Sequence, residues 1–260
     1  MSLVSEITKN SQLLDELSQI IWNASEAIMT VYRSDDFGES TKCDESPVTK
    51  ADLAAHNLLI KGLAKLTHTI PIVSEEDPGS VTIRQTSASY WLIDPLDGTK
   101  EFINRNGEFT CNLALIEDHR PTLGLVSIPA AGLLYVGGPR HRSYRIDQSG
   151  QSLGLTPSPQ PGVTRVVASK SHLNEETQAF IDGIAGDVEL VQAGSSLKFL
   201  KIAEGLADIY PRLGPTCEWD TAAAHAVVLG VGGTVTDLEG VELIYGKTEI
   251  LNPHFVVRAP

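Results

Sequence analysis

The segment Trp91-Leu92-Ile93-Asp94-Pro95-Leu96-Asp97-Gly98-Thr99 carries more information about fold and chemistry than any other stretch of this chain. An apolar run ends in two carboxylates three residues apart, Asp94 and Asp97, and Gly-Thr follows. Magnesium prefers oxygen ligands, which proteins supply as one or two carboxylates beside substrate phosphate and water. Gly98 has no Cβ, so a phosphate could approach the backbone N–H groups closely. The segment predicts a magnesium and phosphate site, although Asp97-Gly98 is equally typical of a hairpin turn.

Acidic residues also follow other apolar or β-rich runs. Ile70-Pro71-Ile72-Val73 leads into Ser74-Glu75-Glu76-Asp77, and Glu218-Trp219-Asp220 opens a helical pattern of small residues. Each group has a simpler explanation, because the first could be a solvated loop and Asp220 could cap its helix. Taken as a set, the three acidic segments favour a shared metal site.

These segments resemble the signatures of the inositol monophosphatase family, whose members are magnesium-dependent, lithium-sensitive phosphomonoesterases. Asp94 to Thr99 matches the family's Asp-Pro-(Ile/Leu)-Asp-Gly-Thr signature, and Trp219 to Ala223 matches its Trp-Asp-x-Ala-Ala signature. Glu75-Glu76 matches the acidic pair upstream, and the resemblance extends from Ser46 to the C-terminal strands. It implies the family fold, a layered αβαβα sandwich that combines α+β and α/β character.

Within that family the chain is most similar to the CysQ-type 3′(2′),5′-bisphosphate nucleotidases. The similarity rests on Lys100 to Thr110, Ser169 to His172, Gly194 to Phe199 and Tyr210 to Thr216. It implies hydrolysis of the 3′-phosphate of adenosine 3′,5′-bisphosphate to AMP and phosphate, with 3′-phosphoadenylyl sulfate as a second candidate substrate. The implied role is recycling of a by-product of sulfur assimilation.

The resemblance also assigns roles to individual residues. Two or three Mg²⁺ ions would be held by Glu75, Asp94, the carbonyl of Leu96, Asp97 and Asp220. Glu75 and Thr99 would activate the attacking water, and Asp52 would orient the Thr99 hydroxyl. The implied substrate-binding residues are Glu75, Leu96, Asp97, Gly98, Thr99, Ser169, His172, Ser195, Ser196, Lys198, Arg212 and Asp220.

The residue types of the second half also fit a binding site for a second phosphate beside the metals. Gly194-Ser195-Ser196 precedes a helical pattern that extends to Leu206, so free N–H groups would face the loop. Lys198 adds a positive charge, and Arg212 could add a bidentate contact. The alternative is that Ser195 only caps the helix and that both cations are ordinary surface residues. Likewise, Asp52 could cap the helix that follows Thr49. His172 could contact adenine, or it could have no role in substrate binding.

Two other functions compete with the nucleotidase interpretation. One is an inositol monophosphatase or sugar bisphosphatase of the same superfamily. The other is a non-catalytic protein that senses a phosphorylated metabolite. All of the expected metal ligands and Thr99 are present, which favours an enzyme.

Composition narrows the class of protein. The formal net charge of -13 argues against general nucleic-acid binding, which depends on neutralising phosphates with Lys and Arg. No apolar run approaches the roughly 18 residues needed to cross a bilayer, so no integral membrane segment is expected. The three cysteines fit reduced thiols in a cytoplasmic protein. Relatives of this kind also occur on the cytoplasmic face of the inner membrane. We expect a monomer or homodimer with a small-molecule nucleotide substrate.

Periodicity predicts the elements. Leu14, Leu17, Ile21, Ala24 and Ile28 share one face of a helix. A second helix covers Lys50 to about Leu66, with Leu53, His56, Asn57, Ile60 and Leu63 or Ala64 on related faces. Strand-like runs at Tyr90–Asp94, Thr110–Ile116, Thr122–Ile128 and Gly132–Gly137 predict a mostly antiparallel sheet. A Pro-rich linker divides residues 1–157, an α+β domain with most metal ligands, from residues 158–260, an α/β domain with Asp220 and the nucleotide-binding segments.

Overall fold

The computed structural model describes residues 11–42, 47–158, 160–168 and 174–260. The predictions for Ser169 and His172 lie outside these residues. The helices are α1 (Ser11–Tyr32), α2 (Lys50–Leu66), α3 (Ile83–Thr86), α4 (Thr99–Ile103), α5 (Glu175–Asp182), α6 (Leu197–Ala203) and α7 (Glu218–Gly230). The strands are β1 (Ser40–Thr41), β2 (Pro47–Val48), β3 (Ile72–Ser74), β4 (Ser89–Asp97), β5 (Thr110–Glu117), β6 (Arg120–Ile128), β7 (Leu133–Gly138), β8 (His141–Asp147), β9 (Ser152–Gly154), β10 (Val163–Ala168), β11 (Asp187–Gln192), β12 (Ile209–Arg212), β13 (Thr234–Asp237) and β14 (Phe255–Arg258).

The first half of the chain builds a seven-stranded sheet in which β3 to β9 follow one another in sequence order. Only the β3–β4 pair is parallel, and each later pair is antiparallel. The predicted antiparallel arrangement is therefore confirmed. Helices α1 and α2 cover one face, and all five apolar positions predicted for the buried face of α1 are buried.

Helix α2 has the predicted bounds, and its predicted apolar positions are buried only in part. Its buried apolar residues are Ala51, Ala55, Leu59 and Leu63, whereas Leu53 is 49% exposed. Of the predicted positions, Leu63 is therefore buried and Leu53 is not, because two overlapping apolar patterns run along this helix. Two alanines and two leucines form the pattern that packs against the sheet.

A second sheet has the strand order β11, β10, β12, β14, β13 and mixes parallel with antiparallel pairs. Helix α7 lies between the two sheets, and residues 221–228 of this helix are all buried. The adjacent helix α6 ends at Ala203, earlier than its apolar pattern predicted, and Leu206 beyond it is 47% exposed. The layers α1/α2, first sheet, α6/α7, second sheet and α5 give the expected αβαβα sandwich.

One hydrophobic layer contains residues from both halves of the chain. Val73 and Tyr135 of the first half pack in the same cluster as Phe199, Val227 and Phe255 of the second. The division into 1–157 and 158–260 stays a prediction about chain organisation. Wherever the boundary between them lies, burial of apolar surface in this shared cluster holds the two halves of the chain together.

The approach of α7 to β6 can be tested at Gly124. A Cβ at this position would lie 2.0 Å from the carbonyl oxygen of Ala223 in α7. We expect Gly124→Ala to lower the free energy of unfolding by about 3 kcal/mol, because backbone must move to admit the methyl group. Urea unfolding followed by circular dichroism measures this.

Gly154→Ala is the matched control, because Gly154 lies in an exposed strand and a Cβ there would meet no atom within 4 Å. Its effect should stay within about 0.5 kcal/mol. Equal stabilities of the two variants would contradict the close contact between α7 and β6.

Candidate metal centre and anion pocket

Three carboxylates from separate elements meet at one point of the structure. Oxygens of Glu75, Asp94 and Asp220 lie within 4.8 Å of one another. Glu75 follows β3, and the parallel pairing of Ser74 with Ile93 sets it beside Asp94 of β4. Asp220 enters from the first turn of α7. The fold thus brings together acidic residues that are up to 145 positions apart in sequence.

The negative charges of these carboxylates favour the binding of a cation among them. Burial raises the pKa of Asp94 well above its usual value, and the negative charge of Glu75 adds to the shift. Burial also raises the pKa of Asp220, with a further contribution from Asp97. Burial likewise raises the pKa of Glu75. A buried set of carboxylate oxygens that repel one another matches the ligands preferred by hard divalent cations.

Asp97 lies beside this cluster and is held by the loop that precedes α6. Its Oδ2 accepts hydrogen bonds from the Ser196 amide at 2.8 Å and from the Ser196 hydroxyl at 3.0 Å. The Ser195 hydroxyl donates to the same oxygen. Ser195 is therefore not the helix cap, because that position belongs to Ser196. The structure joins the aspartate segment to the Ser195-Ser196 loop, which sequence spacing alone could not indicate.

The hairpin interpretation of Asp97-Gly98 is wrong. Residues 98–109, which include α4, connect β4 to β5. Gly98 begins α4 with a φ of +90°, a left-handed conformation that favours glycine. A Cβ there would also lie 3.3 Å from both the Glu108 carbonyl and the Ser195 Cβ. Gly98 thus lets the backbone turn sharply next to the carboxylates.

Thr99 and Asp52 contact each other as predicted for a catalytic pair. The Thr99 hydroxyl lies 3.3 Å from Asp52 Oδ1 and 3.3 Å from the Leu96 carbonyl. The other Asp52 oxygen accepts from the amide and hydroxyl of Thr49, both at 2.7 Å, and so completes the capping box of α2. Burial raises the pKa of Asp52, against the opposing effect of those Thr49 hydrogen bonds. The capping and orienting interpretations of Asp52 are therefore compatible.

A cavity of about 150 Å³ adjoins the carboxylates. Asp97 and Asp220 line it together with Lys198, Arg212 and Thr216. Lys198 is only 6% exposed, so its interpretation as a surface cation is wrong. Burial lowers the pKa of Lys198 to about 8. Arg212 Nε and Thr216 Oγ1 are buried without a hydrogen-bond partner among the described residues, as expected for groups that await an anion.

Lys42 is a site residue that the sequence did not reveal. Its Nζ donates to Glu75 Oε1 at 2.7 Å and to Glu76 Oε1 at 2.6 Å. Burial lowers the pKa of Lys42, but the charges and hydrogen bonds of the two glutamates outweigh burial and raise it. A single cation in a polar stretch has no periodic or motif signal, so only the folded chain identifies it.

Comparison with known proteins places this geometry in a family. The profile of the inositol monophosphatase family matches residues 9–257. The chain belongs to the inositol monophosphatase family. It is 43% identical to the 3′(2′),5′-bisphosphate nucleotidase CysQ of Salmonella typhimurium, over 94% of this chain and 99% of that protein. It is 31% identical to CysQ of Haemophilus influenzae, over 96% of this chain and 94% of that protein.

Solved structures agree with the sequence comparison. CysQ from Bacteroides thetaiotaomicron, a bacterial member of the inositol monophosphatase family, matches with a TM-score of 0.85 and 35% identity, over 96% of this chain and 97% of that one. SuhB of Bartonella henselae has a TM-score of 0.74 at 19% identity and shares the fold. The family, the similarity to CysQ-type enzymes and the fold class predicted from the sequence are confirmed.

The repulsion within the cluster generates a stability prediction. Asp94→Asn removes the buried member of three carboxylates that repel one another. We expect the metal-free variant to melt about 2–4 °C higher, equivalent to about 1 kcal/mol in a chain of this size. Calorimetry in the presence of a chelator measures the shift. Asp35→Asn removes an exposed carboxylate and serves as the control with unchanged melting temperature. A lower melting temperature for Asp94→Asn would show that repulsion does not dominate at this site.

Proposed function

We propose that the protein is a magnesium-dependent 3′(2′),5′-bisphosphate nucleotidase that converts adenosine 3′,5′-bisphosphate to AMP and phosphate. The observation that carries the proposal is that the carboxylate cluster adjoins a cavity with buried basic groups, since Asp97 and Asp220 line the cavity that holds Lys198 and Arg212. A substrate with two phosphates can use both parts at once. Similarity to CysQ proteins over nearly the whole chain supports the same substrate class.

The metal-binding residues in this proposal are those implied by the family signatures. Glu75, Asp94 and Asp220, with Asp97 and the Leu96 carbonyl beside them, would hold two or three Mg²⁺ ions. All of these donors are oxygen atoms, which suits magnesium better than soft metals. Bound magnesium would supply the positive charge that offsets the buried carboxylates and stabilises the entering and leaving oxygens of an in-line displacement.

The protein's own residues would position the reacting atoms. Glu75, with the Thr99 hydroxyl, takes the proton of the attacking water. Asp52 holds that hydroxyl in place at 3.3 Å. The N–H groups of Gly98 and Thr99 would receive the 3′-phosphate, and water would attack phosphorus as the bond to the ribose oxygen breaks. The ribose oxygen would leave on the Asp220 side and take up a proton from solvent to become the 3′-hydroxyl of AMP, while Glu75 returns its proton to solvent. The products are AMP and inorganic phosphate.

The remaining phosphate would bind in the cavity. Lys198 and Arg212 supply positive charge there. Arg212 Nε and Thr216 Oγ1 have no hydrogen-bond partner within the described part of the chain and can donate to a bound anion. An inositol monophosphate would leave the buried Lys198 without an anion. The cavity therefore favours a bisphosphate over a monophosphate. Contacts of Ser169 and His172 with the substrate remain predictions from the sequence.

In the part of the chain that the structure describes, no helix combines the length and apolar character required to cross a bilayer. We propose a cytoplasmic site of action, in keeping with the resemblance to CysQ-type enzymes. Peripheral attachment to the inner membrane and a monomeric or homodimeric state stay predictions from the sequence.

Phosphate release tests the proposed substrate directly. We expect hydrolysis of adenosine 3′,5′-bisphosphate to exceed that of inositol 1-phosphate and fructose 1,6-bisphosphate by more than about 100-fold in kcat/KM, because a site built for polar groups rejects a substrate that leaves those groups unpaired. Chelation of magnesium should abolish release. A preference for either sugar would keep the metal centre but reject the nucleotide, and no turnover at all would favour a sensor of phosphorylated metabolites.

The buried Lys198 predicts a pH dependence of substrate binding. Because burial lowers its pKa to about 8, the empty cavity loses this positive charge as the pH rises above 8. Binding the dianionic phosphate then requires proton uptake, so we expect KM to rise between pH 8 and pH 9.5.

Lys198→Arg keeps the charge throughout this range, because the guanidinium stays protonated. Its KM should be nearly independent of pH over the same interval, whatever its absolute value. Parallel KM profiles for the wild type and this variant would mean that another group titrates.

A further inference from the structure

Glu218, the first residue of α7, is a carboxylate with no solvent exposure. Its Oε2 accepts from the Gly246 amide at 2.9 Å and lies 3.4 Å from Arg84 Nη1. Its Oε1 accepts from the amide and the Nζ of Lys247, at 3.1 and 2.6 Å. A charge buried this deeply is costly unless it is fully paired, and here two cations and two amides pair it. Neither the family signatures nor the proposed mechanism assigns a role to Glu218.

Arg84 connects Glu218 to the half of the chain that supplies the other carboxylates. It is 1% exposed and lies in α3, nine positions after Glu75. Its guanidinium also donates to the carbonyls of Lys247 and Thr248. The ion pair therefore joins two segments, one that begins near Glu75 and one that contains Asp220.

The C-terminal loop, residues 246–252, fixes the start of α7 from the other side. Asn252 Nδ2 donates to the Cys217 carbonyl at 2.9 Å and to the Thr221 hydroxyl at 3.1 Å. The Glu218 amide donates to the Ile250 carbonyl at 3.0 Å. Asp220 thus lies between two residues that are both tied to this loop, and Glu218 contacts both the loop and Arg84, which also donates to the loop directly.

We propose that Glu218 is a positioning residue for the metal centre. The Arg84–Glu218 pair holds Asp220 against Glu75 and Asp94 although the three carboxylates repel one another. A site held in its binding geometry takes up a cation without first assembling its ligands. This role rests on the proposed metal centre. Loss of the Arg84–Glu218 pair should weaken the affinity for the cation, and the rate of catalysis should fall only as a consequence.

Glu218→Gln tests this role, since the amide keeps the shape of the side chain and removes its charge. We measure binding of Mn²⁺ to the metal-free protein by electron paramagnetic resonance, and phosphate release as a function of magnesium. The dissociation constant for Mn²⁺ should rise about ten-fold, as typically follows loss of a group that orients metal ligands. Saturating magnesium should restore most of kcat.

Asp208→Asn is the matched control. It breaks the ion pair between Asp208 and Arg165, which is 5% exposed and lies in the second sheet. This variant should lose stability without a change in Mn²⁺ affinity. The comparison separates a general cost of breaking a buried pair from an effect on the metal centre.

The outcomes test the positioning role of Glu218 separately from the proposed metal centre. If the wild type binds no Mn²⁺, the proposed metal centre fails. If the wild type binds Mn²⁺ and folded Glu218→Gln binds it equally well, the metal centre stands and the positioning role is rejected. If Glu218→Gln does not fold, Lys247→Met removes one partner of Glu218 at a partly exposed position and must weaken Mn²⁺ binding; unchanged affinity would reject the role.

Discussion

Glu75, Asp94 and Asp220 repel one another, and the contacts around them keep the three side chains together against that repulsion. Their oxygens lie within 4.8 Å of one another in a largely buried setting. Backbone and cationic groups hold each one: the Leu96 amide donates to Asp94, the Cys217 amide donates to Asp220, and Lys42 pairs with Glu75. These partners hold the carboxylates in place without cancelling the repulsion among them, which a bound metal ion would offset. The repulsion thus lowers the stability of the folded protein at this place, as is common at functional sites.

Helix α7 transmits this constraint to the core. Its small residues allow it to approach β6 closely, where Gly124 faces the backbone of Ala223. The helix is buried between the two sheets and cannot shift without disturbing both. Asp220 on its first turn is therefore placed by the packing of the whole helix. Hydrophobic burial in the middle layer sets the position of a charged group at its edge.

Local patterns predicted much of this protein. The bounds of α2 and the runs that became β4 to β7 follow from periodicity, and the acidic motifs identified the carboxylates that meet. What the sequence did not show depends on contacts across the chain. Arg84 and Glu218 are 134 positions apart and leave no periodic signal. The buried face of α2 and the early end of α6 were likewise decided by neighbours, because tertiary packing overrides a local apolar pattern.

Ser195 gives the site a fixed internal spacing. Its hydroxyl donates to Asp97 beside the metal centre, while its carbonyl accepts from Lys198 in the cavity at 2.9 Å. Its φ of +45° is unfavourable for a residue with a side chain, and such strain persists only where neighbouring contacts enforce it. One rigid residue thus joins the carboxylates to the cavity that holds Lys198. Under the proposed function, the two phosphates of a substrate would have to match this set separation, and a substrate with phosphates at another distance would lose one of the two contacts. Selectivity would then follow from the separation between the two subsites rather than from the affinity of either.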